Sequence, residues 1–171
     1  MPLVTCRDCK QEISTNASFC PHCGAPWPSK PEWRGPGFEW RSSQIVYGYP
    51  LIHIAFGKDA QGKRKVAKGF IAIGQFAFGV ITVAQFGVGL LFGFGQFIVG
   101  LTALAQFAGA ILMGVGQFAS GYAAIGQIVL AKIGLAQLGF AESLWSPCRR
   151  DPEAVEFFNS LWDNLRHWLS C

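Results

Sequence analysis

The sequence predicts a mainly β fold built from repeats, and three observations carry that prediction. A small residue returns about every five positions through the middle of the chain, at Gly74, Gly79, Ala84, Gly89, Gly95, Gly100, Ala105, Ala110, Gly116, Gly121, Gly126, Ala131 and Ala136. Two residues after each of these runs a second column, from Phe76, Ile81 and Phe86 to Ile128, Ile133 and Leu138, apolar except at Thr102. Glutamine stands between the two columns in every second unit, at Gln75, Gln85, Gln96, Gln106, Gln117, Gln127 and Gln137. The repeating word is therefore Gly/Ala-Gln-Phe every ten or eleven residues, the mark of a repeat architecture.

Backbone geometry turns that period into a strand prediction. Residues about five apart on an α-helix are rotated by roughly 165°, so successive small residues would face opposite sides and share no stripe. In an extended strand the side chains alternate, which would put Gly74, Phe76 and Phe78 on one face and Gln75 and Ala77 on the other. Five residues then make one short strand and a tight corner, with glycine allowing close approach and the following Phe, Ile or Leu filling the space left. Two closures fit: a coil of four short faces per roughly 21 residues, or ten-residue hairpins arranged about an axis as a shallow barrel. A rival reading is a multi-span membrane protein through residues 69–131, a stretch with no charged residue and no proline. The five-residue half-period and the lack of polar linkers favour β-repeats over helices.

The chain opens with Cys6-x2-Cys9 and Cys20-x2-Cys23, separated by ten residues. Each pair forms a knuckle that presents two thiolates to one ion, and two knuckles complete a tetrahedral site without an open position, which suits structural Zn²⁺ rather than catalysis. His22 reads as a turn residue beside a complete ligand set, and Lys10 stands where such a knuckle often has glycine. The stretch resembles the short zinc-ribbon modules found at the ends of many bacterial and archaeal proteins, over about the first 25 residues.

The expected organisation is a zinc ribbon at 1–26, a Pro/Trp-rich linker at 27–43, a β-hairpin repeat domain at 44–142 and a C-terminal amphipathic helix at 151–170. The linker boundary rests on the density of proline, glycine and tryptophan in APWPSKPEWRGPGFEWR. Beyond it, two apolar runs around the polar loop KDAQGKRK predict a hairpin leading into the repeats, with His53 as an ordinary strand residue. The loop and its edge hold Lys58, Lys63, Arg64, Lys65 and Lys68 against Asp59 alone. They form either a solvated loop or a patch for anionic headgroups. The glutamines read as a polar ladder or ring, bonding to one another or lining a mouth. The helix follows from Val155, Phe158, Trp162, Leu165 and Leu169 at helical spacing behind Asp151, Pro152 and Glu153. Cys148 and Cys171 remain as thiols outside the metal set.

The words PLIHIAFG, VAKGFIAIGQ and the repeated GQF and AQF resemble the β-flower fold, an all-β barrel of hairpin petals about an axis, over roughly residues 44–140. That resemblance implies a fold and a loose suggestion of lipid or membrane association. Lys132, Gly109 and Gly114 depart from the pattern.

The net charge of +4 is modest and, Lys132 apart, sits in the end regions and the one loop. No nucleophile–base set, no phosphate-cradling loop and no paired carboxylates stand out, so the expectation is a non-enzymatic protein with no small-molecule substrate. The absence of an N-terminal apolar leader favours a cytoplasmic location, peripheral at the inner face of the membrane. The partner classes are an anionic membrane surface or lipid, or alternatively a protein partner or homo-oligomer with the ribbon as recognition head. Nucleic acid is disfavoured because the basic cluster is short and lacks interleaved aromatics.

Overall fold

The computed structural model describes residues 2–169. The chain divides into two compact units, Met1–Gly37 with Lys58–Lys63, and Phe38–Gly57 with Arg64–Cys171. In the first, β1 (Leu3–Thr5) and β2 (Glu12–Ser14) pair antiparallel with Val4 opposite Ile13. Their small core is Cys6, Ile13, Cys20 and Ala25. The loop expected to belong to the β domain is thus split, with Lys58–Lys63 in the N-terminal unit and Arg64 onward in the other.

The second unit begins inside the expected linker. β3 (Phe38–Arg41) is a strand, not a spacer, and pairs antiparallel with β6 (Ile52–Phe56). Between them lies a small hairpin of β4 (Ile45–Val46) and β5 (Tyr49–Pro50). β7 then runs continuously from Val66 to Trp145. The predicted entry hairpin is corrected here: β6 and β7 pair parallel, Ile52 with Ile71 and Ala55 with Gly74. The chain leaving Phe56 passes through the loop and starts again in the same direction, so the loop does not reverse the strand.

Eighty residues of straight strand would reach about 260 Å, yet β7 repeatedly meets itself ten or eleven residues on. The rings of Phe76, Phe86, Phe97, Phe107 and Phe118 lie 5.5, 6.1, 4.6 and 4.8 Å from one to the next, the last two pairs stacked nearly parallel. Thr102 Oγ1 donates to the Leu91 carbonyl at 2.6 Å. Val115, Ile125 and Leu135 line one shallow groove with Gln117, Gln127 and Gln137. These spacings approach the 4.7–4.9 Å between neighbouring strands.

Strict alternation of faces does not hold. Ala72, Gly74, Ala77, Gly79, Thr82 and Ala84 are buried, at intervals of two and then three, so a pair of adjacent outward residues separates each inward pair. Gly74 and Ala77 therefore point in, while Gln75, Phe76 and Phe78 face outward. The interior is accordingly made of alanine: Ala72, Ala77, Ala103, Ala105, Ala108, Ala119 and Ala124 are 7% exposed or less, with Ile98 and Val129 the largest buried side chains. The expectation that the aromatic column fills the core is overturned, since Phe86, Phe97 and Phe107 are 48, 41 and 37% exposed. Opposed stretches lie too close together to admit more than a methyl group at most inward positions.

The last stretch of β7 ends in bonds that occupy its backbone. Leu144 N–H donates to Asp151 Oδ2 at 2.8 Å, Asp151 N–H to the Leu144 carbonyl at 3.1 Å and Arg149 Nη2 to the Glu142 carbonyl at 3.0 Å. Such bonds blunt a strand edge that would otherwise template another chain. The Leu144 N–H bond and then Arg149 hold the Asp151 carboxyl below the usual range. The helix α1 (Pro152–Leu169) follows, with proline at its first position, where a missing N–H costs nothing. Ser170, the last residue of the expected helix, and Cys171 lie outside the described residues. Ala154, Phe157, Phe158 and Leu161 pack against Ile125, Ile133, Leu135 and Trp145. Trp162, Leu165, Trp168 and Leu169 remain 58, 48, 83 and 84% exposed.

Residues 69–131 are strand throughout, which replaces the reading of that stretch as spanning helices. Among the described residues no helix is long and apolar enough to cross a membrane.

Candidate metal centre and the outer surface

The two cysteine knuckles repeat one hydrogen-bond plan. Cys6 N–H donates to the Gln11 carbonyl at 2.8 Å and Lys10 N–H to the Cys6 carbonyl at 3.1 Å; Cys20 and Gly24 make the equivalent bonds, to Ala25 at 2.8 Å and to Cys20 at 2.9 Å. Each plan requires a left-handed residue four positions after the first cysteine. Gly24 adopts φ 74° there and Lys10 adopts φ 63°, so the lysine noted in the sequence holds a conformation natural to glycine.

The plan brings Cys6, Cys9, Cys20 and Cys23 together, their Sγ atoms all within 4.8 Å of one another. The Cys6–Cys23 and Cys9–Cys20 separations are 3.8 and 3.6 Å. Four sulfurs about 2.3 Å from a central ion in a tetrahedron stand about 3.8 Å apart, so the donor set fits a thiolate-bound metal ion. Electrostatics agree with that fit. The Cys9 N–H holds the Cys6 thiol down to about 7. At Cys9 and Cys23 the N–H groups of Gln11 and Ala25 also pull downward, but burial and the neighbouring sulfurs outweigh them, raising Cys9 and pushing Cys23 up to about 12. Without a cation, the Cys6 thiolate forms readily while Cys9 and Cys23 resist; a divalent ion reverses that resistance. His22 is exposed and lies outside the cluster.

The five basic residues of the loop are not gathered into one patch of solvated charge. Lys65 is 9% exposed in its side chain and pairs with Glu39 at 3.2 Å. The Arg64 guanidinium lies over the Phe76 ring at 5.2 Å. Lys58, Lys63 and Lys68 are exposed.

Sequence reasoning missed the cluster that holds Lys65. His53 is 3% exposed. Its Nδ1 accepts the Lys68 N–H at 2.8 Å, which leaves Nε2 to donate to Glu39 Oε1 at 3.3 Å. Arg41 donates to the same carboxylate through Nε at 3.0 Å. Glu39 thus joins β3, β6 and the start of β7, and Arg41, followed by Lys65, holds its carboxyl below the usual range. A depressed value means the contribution is complete above the ordinary carboxylate range and is lost as pH falls through the folded value. Glu39→Gln is expected to cost about 1–2 kcal/mol at pH 7. The deficit should shrink as pH falls below the ordinary carboxylate range, read by denaturant titration at pH 7 and in acid. A deficit unchanged at low pH would assign the effect to packing.

The glutamine column stands at the surface: Gln75 is half-buried and the other six are exposed. No side-chain hydrogen bond links these glutamines among the described residues, so they form a row of unpaired amides rather than a bonded ladder. Among the alternate pairs, Leu90, Leu91, Ile111 and Leu112 are exposed by 57, 53, 70 and 50% and Tyr122 by 49%, while Ala123 and Ile133 are buried. Lys132 closes that row with its ammonium 5.7 Å from the Tyr122 ring. Cys148 is exposed in the bend after Trp145.

Compared with protein-family models, with curated proteins and with solved structures, the chain matches none.

Proposed function

We propose that β7 is a repeat-built coil of ten- or eleven-residue turns, and that the protein is a non-enzymatic scaffold docking on a lipid surface, carrying a structural Zn²⁺ on its four cysteines. Each turn has two broad faces and two corners, one corner of glutamine and phenylalanine and the other of apolar pairs. The hairpin-petal barrel of the β-flower resemblance assigns the same residues to petals; the parallel start of β7 and the in-line phenylalanines favour winding in one direction.

The apolar corner is the observation that carries the lipid reading. Leu90, Leu91, Ile111 and Leu112 are each exposed by half or more, where a water-facing coil would place polar groups at no cost to its interior. A contiguous apolar surface of this kind marks an interaction site. Trp162 and Trp168 extend it on α1, and the Arg166 guanidinium sits 5.5 Å from the Trp162 ring. Tryptophan and arginine suit the boundary between acyl chains and headgroups. Lys68, exposed on the same unit, adds attraction to anionic lipid, on the order of 1 kcal/mol near the surface.

Vesicle flotation tests the reading. Wild-type protein is expected to float with phosphatidylcholine vesicles, and more strongly with added phosphatidylserine at low salt. Ile111→Glu with Leu112→Glu should lower the bound fraction at least tenfold while the circular dichroism is unchanged. Wild-type protein that stays at the bottom of the gradient overturns the proposal.

A further inference from the structure

The geometry points to a second copy of this chain as the partner of the opposite corner, docked antiparallel about a two-fold axis that passes beside Gln106. This rests on the coil reading above but not on lipid binding.

Unpaired amides set the chemistry of that corner. A glutamine carries two donors and an acceptor, so hydrocarbon cannot satisfy the row, whereas a second row can, because each amide both donates and accepts. Identical side chains of paired sheets interdigitate in this way in stacked β-structures. A two-fold axis makes an interface self-complementary, and the seven glutamines have the spacing it needs. From Gln106 the column steps by ten, eleven and ten residues to Gln75, and by eleven, ten and ten to Gln137. Antiparallel docking therefore sets Gln75 against Gln137, Gln85 against Gln127 and Gln96 against Gln117, with Gln106 meeting itself. The neighbouring aromatic column follows suit, Phe97 against Phe118 and Phe76 against Leu138, apolar on apolar throughout.

The available area is sufficient. α1 packs on Ile125, Ile133, Leu135 and Trp145 and so borders the groove beside Gln127 and Gln137, but Leu130 and Phe140 on the broad face beside the phenylalanines stay 57 and 73% exposed. Ten large apolar side chains of that corner and face, running from Phe78 to Phe140, are 37 to 73% exposed. At roughly 80 Å² each, they supply ~800 Å² before any glutamine is counted, which is what one partner of a stable interface contributes.

Gly109 is an independent indication. It stands midway along the broad face, in line with Val99 and Ser120. A Cβ built there meets Val99 Cγ2 at 3.4 Å and the Ile98 carbonyl at 3.7 Å, ordinary contacts, without a left-handed φ. The coil does not require glycine at this position. A close approach at the centre of a two-fold interface does.

The test uses the full chain with Cys148 and Cys171 changed to serine. Light scattering in detergent-free buffer at tens of micromolar is expected to give a dimer, and Gly109→Arg a folded monomer with unchanged circular dichroism. Gln106→Cys should cross-link to itself under mild oxidation, while Gln75→Cys should not, its partner being Gln137. A monomeric parent protein overturns the inference, as does a dimer that Gly109→Arg leaves intact, or self-linking at position 75 in place of 106. Since flotation uses Ile111 and Leu112 on the other corner, a parent protein that floats but forms no dimer would refute this inference and leave the lipid reading standing.

Discussion

Gly95→Ala is expected to destabilise the β unit by roughly 3 kcal/mol or more, while the same change at Gly109, compared at dilutions where the chain is monomeric, stays within about 0.5 kcal/mol. The two positions lie on the same element and receive the same methyl group. At Gly95 the added Cβ would drive into the carbonyl oxygen of Ala84, the residue one turn earlier, and would also meet Ile98 Cδ1 at 3.2 Å. Backbone cannot swing aside as a long side chain can, so neighbouring turns must separate and give up ladder hydrogen bonds, each worth about 1 kcal/mol net. Against a total stability of about 5–15 kcal/mol, this is a large fraction. Denaturant melts of both variants, followed by the far-ultraviolet β signal, make the comparison. Equal midpoints for the two would contradict the close stacking at the small-residue column.

Cys20→Ser should abolish stoichiometric metal binding and unfold the N-terminal unit, leaving the β unit intact. Structural zinc in small modules contributes apparent free energies of about 10–16 kcal/mol at neutral pH, far more than a core of Cys6, Ile13, Cys20 and Ala25 can supply. The same loss is expected on chelation of the wild-type protein. Metal analysis of the purified chain, with thiol reactivity before and after chelation, reads both. One zinc per chain and four thiols exposed together on chelation support the site. A chain whose N-terminal unit stays folded without metal would overturn its structural role. Because metal binding must displace protons from thiols such as Cys23, pushed up to about 12, affinity should fall as pH decreases.

Parts of this architecture were legible because they rest on local rules. The cysteine spacing fixes two knuckles, and the helix start is written in Asp151, Pro152 and Glu153. The small column at every fifth position reported close approach correctly. Which way its neighbours point was another matter. An alternation of two assigns Gly74 and Phe76 to one face, whereas burial follows intervals of two and three and leaves Phe86, Phe97 and Phe107 exposed. Hydrophobicity gave no warning, since the core is lined mostly by alanine and the larger apolar residues stand outside it. The Glu39, His53 and Lys65 cluster was also hidden. It joins residues 14 to 26 positions apart, and Glu39 sits among the prolines and tryptophans that read as a spacer. Lys65 lies in a loop whose charges all read as solvated.

Flotation on neutral vesicles tests the central claim most directly when variants of the two corners are compared. Ile111→Glu with Leu112→Glu should leave the protein at the bottom of the gradient, and Gln96→Glu with Gln106→Glu should float as well as wild type. Loss of flotation only in the glutamine pair, or flotation by neither wild type nor variant, would contradict the assignment of lipid to the apolar corner.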